Sequence, residues 1–123
     1  MTLQITPEQM AIYKRTARER QARDDLAMRA RRESALSYAH QAAQLLKERF
    51  GATRVILFGS LAHGAWFHAG SDIDLAVEGI VPGNYFSAWG ALEDLSLDFE
   101  FDFVECEYAP LSLRQSIEQG VEI

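Results

Sequence analysis

Cysteine, glycine, proline and positive charge are each missing from large parts of this chain. One cysteine, Cys106, stands among 123 residues, which excludes an internal disulfide framework and any multi-Cys zinc site. Long apolar runs are lacking. The longest uncharged stretch near the middle, residues 55–71, holds two His and three Gly and cannot serve as a membrane span. The N-terminus lacks the charged-then-apolar pattern of a secretory signal, so a cytoplasmic protein is the expectation. Glycine is absent from the first fifty residues, and only Pro7 of the three prolines lies there. Lys and Arg are scarce after residue 50: two face twelve Asp/Glu (net −10), whereas residues 1–50 carry ten against six (net +4). A basic half joined to an acidic half points to two surfaces with different tasks. The acidic half argues against broad phosphate-backbone binding there and suits a site for divalent cations.

What is present is globular: 48% hydrophobic and 24% charged residues are ordinary values for a folded domain. The glycine-free first half reads as helix. Thr6 can cap, Pro7 fits the first helical position and Gln9 can close a capping box. Gly51 follows Lys47-Glu48-Arg49-Phe50, a stop with basic residues in the last turn. A single helix over 7–50 would be about 65 Å long at ~1.5 Å per residue, so either it projects as an arm or it breaks into two. Leu36, Ala39, Ala43, Leu46 and Phe50 recur at three- and four-residue steps and form a packing face. Residues 14–32 hold only Leu26 and Met28 as large apolar side chains, so truncation before residue 33 is expected to leave the rest folded. Lys14, Arg15, Arg18, Arg20, Arg23, Arg29, Arg31 and Arg32 are interrupted by Glu19, Asp24, Asp25 and Glu33. That interruption favours a solvated face or a protein contact over nucleic acid.

The second half reads as a small α/β unit. Arg54–Phe58 is a buried strand, Leu61–Trp66 a short helix or turn, and Ser71–Val77 a second strand. Pro82-Gly83-Asn84 opens a helix with Tyr85, Phe86, Trp89, Leu92 and Leu95 on its apolar face. Asp98–Val104 alternates at period two and is a third strand. Pro110 starts a last helix through Leu111, Leu113 and Ile117, ended by Gly120. The core of 51–123 alone is small, because domains near 70 residues bury only ~60% of their unfolded surface. The long helix or another chain must therefore cover part of the sheet.

Three carboxylates carry the chemistry. Asp72 and Asp74 are two apart on a strand and leave the same face. Side by side in an apolar sheet they repel, and cations remove that cost. Hard oxygen donors of this kind suit Mg²⁺, which shares its coordination with water and substrate phosphates. Phe99, Phe101 and Phe103 face one side of their strand, leaving Glu100 and Asp102 on the other. If that strand neighbours the Asp72 strand, Asp102 completes a cluster able to hold two metals for a phosphate displacement. Gly59-Ser60 follows a buried strand and precedes a short helix, where a phosphate can approach the backbone. No Walker lysine accompanies it.

Phe58-Gly59-Ser60, Ser71-Asp72-Ile73-Asp74-Leu75 and the apolar-flanked Asp102 together resemble the signature of the DNA polymerase β-like nucleotidyltransferase superfamily. Within it they resemble most the minimal nucleotidyltransferase (MNT) members. The resemblance spans about residues 50–123 and implies an α/β (α+β) fold, a small mixed sheet flanked by helices. Here that unit, 51–123, would be preceded by a helical extension, 1–50. The resemblance also implies transfer of AMP from ATP to a hydroxyl with release of pyrophosphate. By the same carry-over, Gly59 and Ser60 hold the triphosphate and Asp72 and Asp74 bind Mg²⁺. Asp102 binds the catalytic metal and helps deprotonate the attacking hydroxyl.

This chain departs from common members in its eleven-residue spacer between Ser60 and Asp72, which a surface turn at Phe67–Gly70 could absorb. His63 stands where many members have Arg, and His63 and His68 read as loop residues rather than ligands. Minimal members pair with a HEPN-domain toxin, so the resemblance implies an antitoxin that adenylylates a tyrosine of a HEPN ribonuclease partner. The basic helix would be a docking element for that partner or for a second copy. An antitoxin acting by binding alone, and a transferase for a small-molecule hydroxyl, are the alternatives.

Overall fold

The computed structural model describes residues 4–64 and 67–123. The first half is one helix, α1, over Pro7–Phe50. Both of its ends are built as the sequence dictates. Thr6 Oγ1 accepts from Gln9 N at 3.1 Å, and Gln9 Oε1 accepts from Thr6 N at 2.9 Å, so two otherwise orphaned amides are satisfied reciprocally. At the other end Gly51 adopts φ 76°, a left-handed conformation that costs glycine nothing. Ala52 N then donates back to Leu46 O at 3.0 Å.

The α/β unit follows. Strand β1 is Arg54–Phe58, helix α2 is Gly59–His63, and strand β2 is Ile73–Glu78. Helix α3 is Tyr85–Glu93, strand β3 is Phe101–Glu105, helix α4 is Leu111–Glu118, and strand β4 is Val121–Glu122, with a 3₁₀ turn at Cys106–Tyr108 after β3. The sheet order is β3-β2-β1-β4. β1 is antiparallel to β2 and β4, and β2 is parallel to β3. This is the mixed sheet flanked by helices that the resemblance implies.

Strand alternation sorts the side chains into two layers. Val55, Leu57, Ile73, Leu75, Val77, Phe101 and Phe103 join the cluster that contains Ala35, Ala39, Ala42, Ala43 and Leu46 of α1. Four of these five helix residues are alanines, so the helix can sit close against the sheet. Leu46 and Leu75 are fully buried, worth roughly 2 kcal/mol each by area. Ile56, Phe58 and Ala76 face the other way and meet Ala109 and Ile117 beneath α4.

Some expectations change. The long helix does not break. It is exposed from Pro7 through Ala27, about six turns, and so projects as an arm. Its contact with the sheet domain begins before Leu36: Met28 packs on the core, the Arg31 guanidinium lies 4.4 Å over the Phe99 ring, and Arg32 Nη2 donates to Leu61 O at 3.4 Å. Long cationic side chains cover apolar surface with their stems, a contact that hydrophobic periodicity does not register. The expected face of α3 is also revised. Ala88 and Leu92 are its fully buried positions, Tyr85, Trp89 and Leu95 are half-buried, and Phe86 is 79% exposed. Strands β2 and β3 begin at Ile73 and Phe101 rather than Ser71 and Asp98. Leu111 is 79% exposed, leaving Leu113 and Ile117 to hold α4, and β4 had no sequence signal. The expected end of the short helix at Trp66 lies outside the described residues.

Candidate active site

Register brings the acidic residues together. Phe58 pairs with Asp74 across β1 and β2, and Asp74 pairs with Asp102 across β2 and β3. The three form one row on the sheet face opposite α1. Ile73 N donates to Glu100 O at 2.9 Å, which fixes the start of β2 against the start of β3. Asp72 lies one residue before β2, held by the turn that precedes it. There Ser71 N donates to His68 O at 3.0 Å, His68 N donates to Ser71 Oγ at 2.9 Å, and Gly70 N donates to His68 Nδ1 at 3.1 Å. His68 is thus a turn residue, and His63 is exposed in the last turn of α2.

Gly59 closes the site from the β1 side. Its φ is +74°, and a Cβ there would lie 2.1 Å from Asp74 Oδ2. Backbone and carboxylate are in contact, so glycine is required twice, for conformation and for space. Ser60 follows in the first turn of α2, whose N-terminus has no side-chain cap. The amides there can donate to an anion.

The electrostatics follow from burial and like charge. The Asp74 carboxyl is pushed up to about 7, first by burial, then by the charge of Asp102, a side-chain hydrogen bond with Asp102, and the charge of Asp72. Asp72 and Asp74 are half-buried and Asp102 is exposed. Among the described residues the ion pairs are Arg54 with Glu78 and with Glu122, so no protein cation neutralises the carboxylate row. Nor, among these residues, do any three His, Cys, Asp or Glu side chains stand together closely enough to hold a metal ion by themselves. Asp74 and Asp102 are in direct contact, whereas Asp72 acts on Asp74 through charge. Uncompensated oxygen donors at an open sheet end fit a divalent cation that completes its shell with water and phosphate; they do not fit a closed structural metal site.

Sequence reasoning missed a second feature beside the row. A cleft of about 410 Å³ runs between α3 and the start of β3, walled by Trp89, Glu93, Leu97, Phe99, Glu100 and Asp102 among others. Its only legible trace was the Glu100 and Asp102 alternation. A cavity of about 310 Å³ beneath α4, lined by Arg54, Glu78 and Arg114 among others, lies at the opposite end of the strands and is no part of this site. No described helix is long and apolar enough to cross a membrane.

Comparisons with known proteins agree with this fold. A solved toxin–antitoxin structure with AMP-PNP is similar at 26% identity and a TM-score of 0.57, over 68% of this chain and 70% of that one. Two further solved structures share the fold. One is a tri-AMPylated Shewanella oneidensis HEPN toxin in complex with MNT antitoxin, at 22% identity, TM-score 0.53, and 72% and 70% coverage. The other is the toxin–antitoxin MntA–HepT, at 22% identity, TM-score 0.53, and 71% and 69% coverage. No curated protein matches the chain. The model of the family "Polymerase beta, Nucleotidyltransferase" matches residues 40–123, the span that carries Gly59, Ser60 and all three aspartates, and the chain belongs to that family.

Proposed function

We propose that this nucleotidyltransferase is the antitoxin of a toxin–antitoxin pair and transfers AMP from ATP to a hydroxyl of its partner, a tyrosine of a HEPN-domain toxin. The observation that carries the transfer is the row itself: Gly59 against Asp74, and Asp74 against Asp102. The likeness to a toxin–antitoxin with AMP-PNP and the fold shared with an MNT antitoxin support the pairing.

In this reading Gly59 and Ser60 present backbone amides and a hydroxyl to the triphosphate. Asp72, Asp74 and Asp102 hold Mg²⁺, which when bound supplies positive charge to the phosphate oxygens. The acceptor oxygen forms a bond to the α-phosphorus, the bond to pyrophosphate breaks, and the hydroxyl proton passes to the Asp102 carboxylate and then to solvent. Asp74 and Asp72 would hold the cation that offsets the charge of the triphosphate. Residues 51–123 form the transferase unit, and 1–50 the extension that meets the partner.

The test is label transfer from α-labelled ATP to the purified HEPN partner with Mg²⁺. Transfer is expected with the wild type, and a loss of at least about 100-fold with Asp72→Asn or Asp74→Asn, typical of removing charge stabilisation at a reacting phosphate. Asp102→Asn is expected to lower kcat far more than nucleotide affinity, and Asp98→Asn to change neither. Neutralisation of the toxin without any label would instead support an antitoxin acting by binding alone.

A further inference from the structure

We propose that the cleft between α3 and the start of β3 is the acceptor subsite, and that it takes a hydroxyl-bearing peptide segment flanked by Lys and Arg. The inference rests on the transferase reading above and adds where the acceptor lies and what chemistry selects it.

Position comes first. Asp102 is a wall of the cleft and also the register partner of Asp74. An occupant therefore lies against the carboxylate assigned to take the acceptor proton. β3 is an edge strand of the sheet. The Tyr85 hydroxyl donates to Phe103 O and its ring stacks on Phe103 at 5.1 Å, which closes the middle of that edge and leaves the Glu100–Asp102 end open.

The wall then selects its occupant. Glu93, Glu100 and Asp102 supply three carboxylates, and among the described residues no Lys or Arg lines the cleft. Arg31 touches Phe99 and donates to Asp98 O at 3.1 Å but is not part of the wall. A triphosphate is repelled by such a surface, whereas a cationic segment is drawn to it. Nucleotide and acceptor are thus sorted to opposite sides of Asp102. Apart from Ser96, the rest of the lining is apolar and aromatic: Trp89, Phe99, Phe101 and a fully exposed Leu97, the composition of a peptide-binding centre. The Trp89 indole N–H is buried without a hydrogen-bond partner among the described residues, and a modest turn of the ring toward the cleft would let a backbone carbonyl or hydroxyl of a bound segment relieve that deficit.

The experiment is a binding titration that does not depend on transfer. Two fluorescein-labelled tyrosine peptides of equal length, one Lys/Arg-rich and one Asp/Glu-rich, are titrated with the full chain, Mg²⁺ and a non-hydrolysable ATP analogue. The basic peptide is expected to bind on the order of tenfold more tightly or better. Glu93→Lys with Glu100→Lys should abolish that preference. Glu33→Lys with Glu118→Lys, the same change of charge at exposed positions outside the cleft, should retain it. Affinity for the ATP analogue should stay within about twofold in both. Trp89→Phe, which keeps an aromatic ring and removes the N–H, should weaken the basic peptide severalfold, and circular dichroism melts confirm that each variant folds.

Equal loss in both double variants would overturn the proposal in favour of diffuse charge. No discrimination between peptides would overturn it outright, and lost nucleotide affinity with peptide binding unchanged would make the cleft a nucleobase subsite. Binding as expected, with no AMP transferred to the peptide or to the HEPN partner, would support the cleft and overturn the transferase reading.

Discussion

Asp74 is where burial and charge conflict most directly, and it sets the pH behaviour of the metal-free protein. Its carboxyl is raised from 3.8 to about 7 by burial and by Asp102 and Asp72. Between those values the native state binds more protons than the unfolded chain, so stability falls as pH rises through that window. The metal-free protein is therefore expected to melt at lower temperature at pH 8 than at pH 5. Mg²⁺ should raise the melting temperature more at pH 8, where it meets an ionised carboxylate. Asp74→Asn should flatten the metal-free profile and remove most of the Mg²⁺ effect. A melt that rises monotonically from pH 5 to 8 without metal would contradict this account. Gly59 provides a second test at the same contact. Gly59→Ala places a methyl in a left-handed backbone and against Asp74 Oδ2, a cost of about 1–3 kcal/mol from backbone strain alone. The cost should be smaller in an Asp74→Ala background, where Oδ2 and Cγ are removed and only the Cβ of residue 74 remains, at 3.3 Å. Denaturant titrations of the two single variants and the double variant measure that coupling.

At the scale of elements, what was legible followed from local chemistry. The capping box at Thr6–Gln9, the Gly51 stop, the apolar run of β1 and the alternation of Phe99, Phe101 and Phe103 are local signals, and each element stands within a few residues of where those signals put it. The pairing of Asp74 with Asp102 was legible only as a condition, that β2 neighbours β3, because register is decided by long-range packing and not by either strand. Strand β4 was hidden because Val121–Glu122 is too short to alternate. The cleft beside β3 was hidden because Trp89, Glu93 and Glu100 meet only once α3 docks on the edge strand. The start of α1's contact was misjudged because Met28, Arg31 and Arg32 pack through stems, a ring stack and a carbonyl. The truncation boundary consequently moves. Deleting residues 1–27 should leave the melting temperature of the α/β unit within a few degrees. Deleting 1–34 should lower it clearly, since it removes the Arg31–Phe99 and Arg32–Leu61 contacts and opens the Met28 packing. Equal melts for the two truncations would show that these contacts contribute nothing.

Across the whole molecule, a net charge of −6 conceals a nearly neutral arm, with five Lys/Arg against four Asp/Glu over residues 7–27, leaving an acidic body. Gly59, Ser60 and the three aspartates all lie within 51–123, but no described residue covers the arm from Pro7 to Ala27, whose large apolar side chains Met10, Ile12, Tyr13 and Leu26 are exposed. A helix this polar has little reason to persist alone, which argues that a partner completes it. In the proposed pairing the acidic cleft and the arm would engage the partner at two separate points, and the two contacts should add through effective concentration. Attraction between exposed charges is largely screened beyond ~10 Å at 0.1 M salt and ~3 Å at 1 M. Association of the full chain with the proposed HEPN partner through the acidic cleft should therefore weaken by an order of magnitude or more as salt rises across that range. Removal of 1–27, which changes the net charge by only one, should weaken it at both salt concentrations, keep most of the salt dependence, and leave ATP and Mg²⁺ binding unchanged. Calorimetric titrations of partner and nucleotide against the full and shortened chains, each at both salt concentrations, measure all of these quantities. Unchanged partner affinity on truncation would make the arm a solvated extension. A parallel loss of nucleotide binding would make it part of the fold, because no contact of the arm described above reaches the carboxylate row.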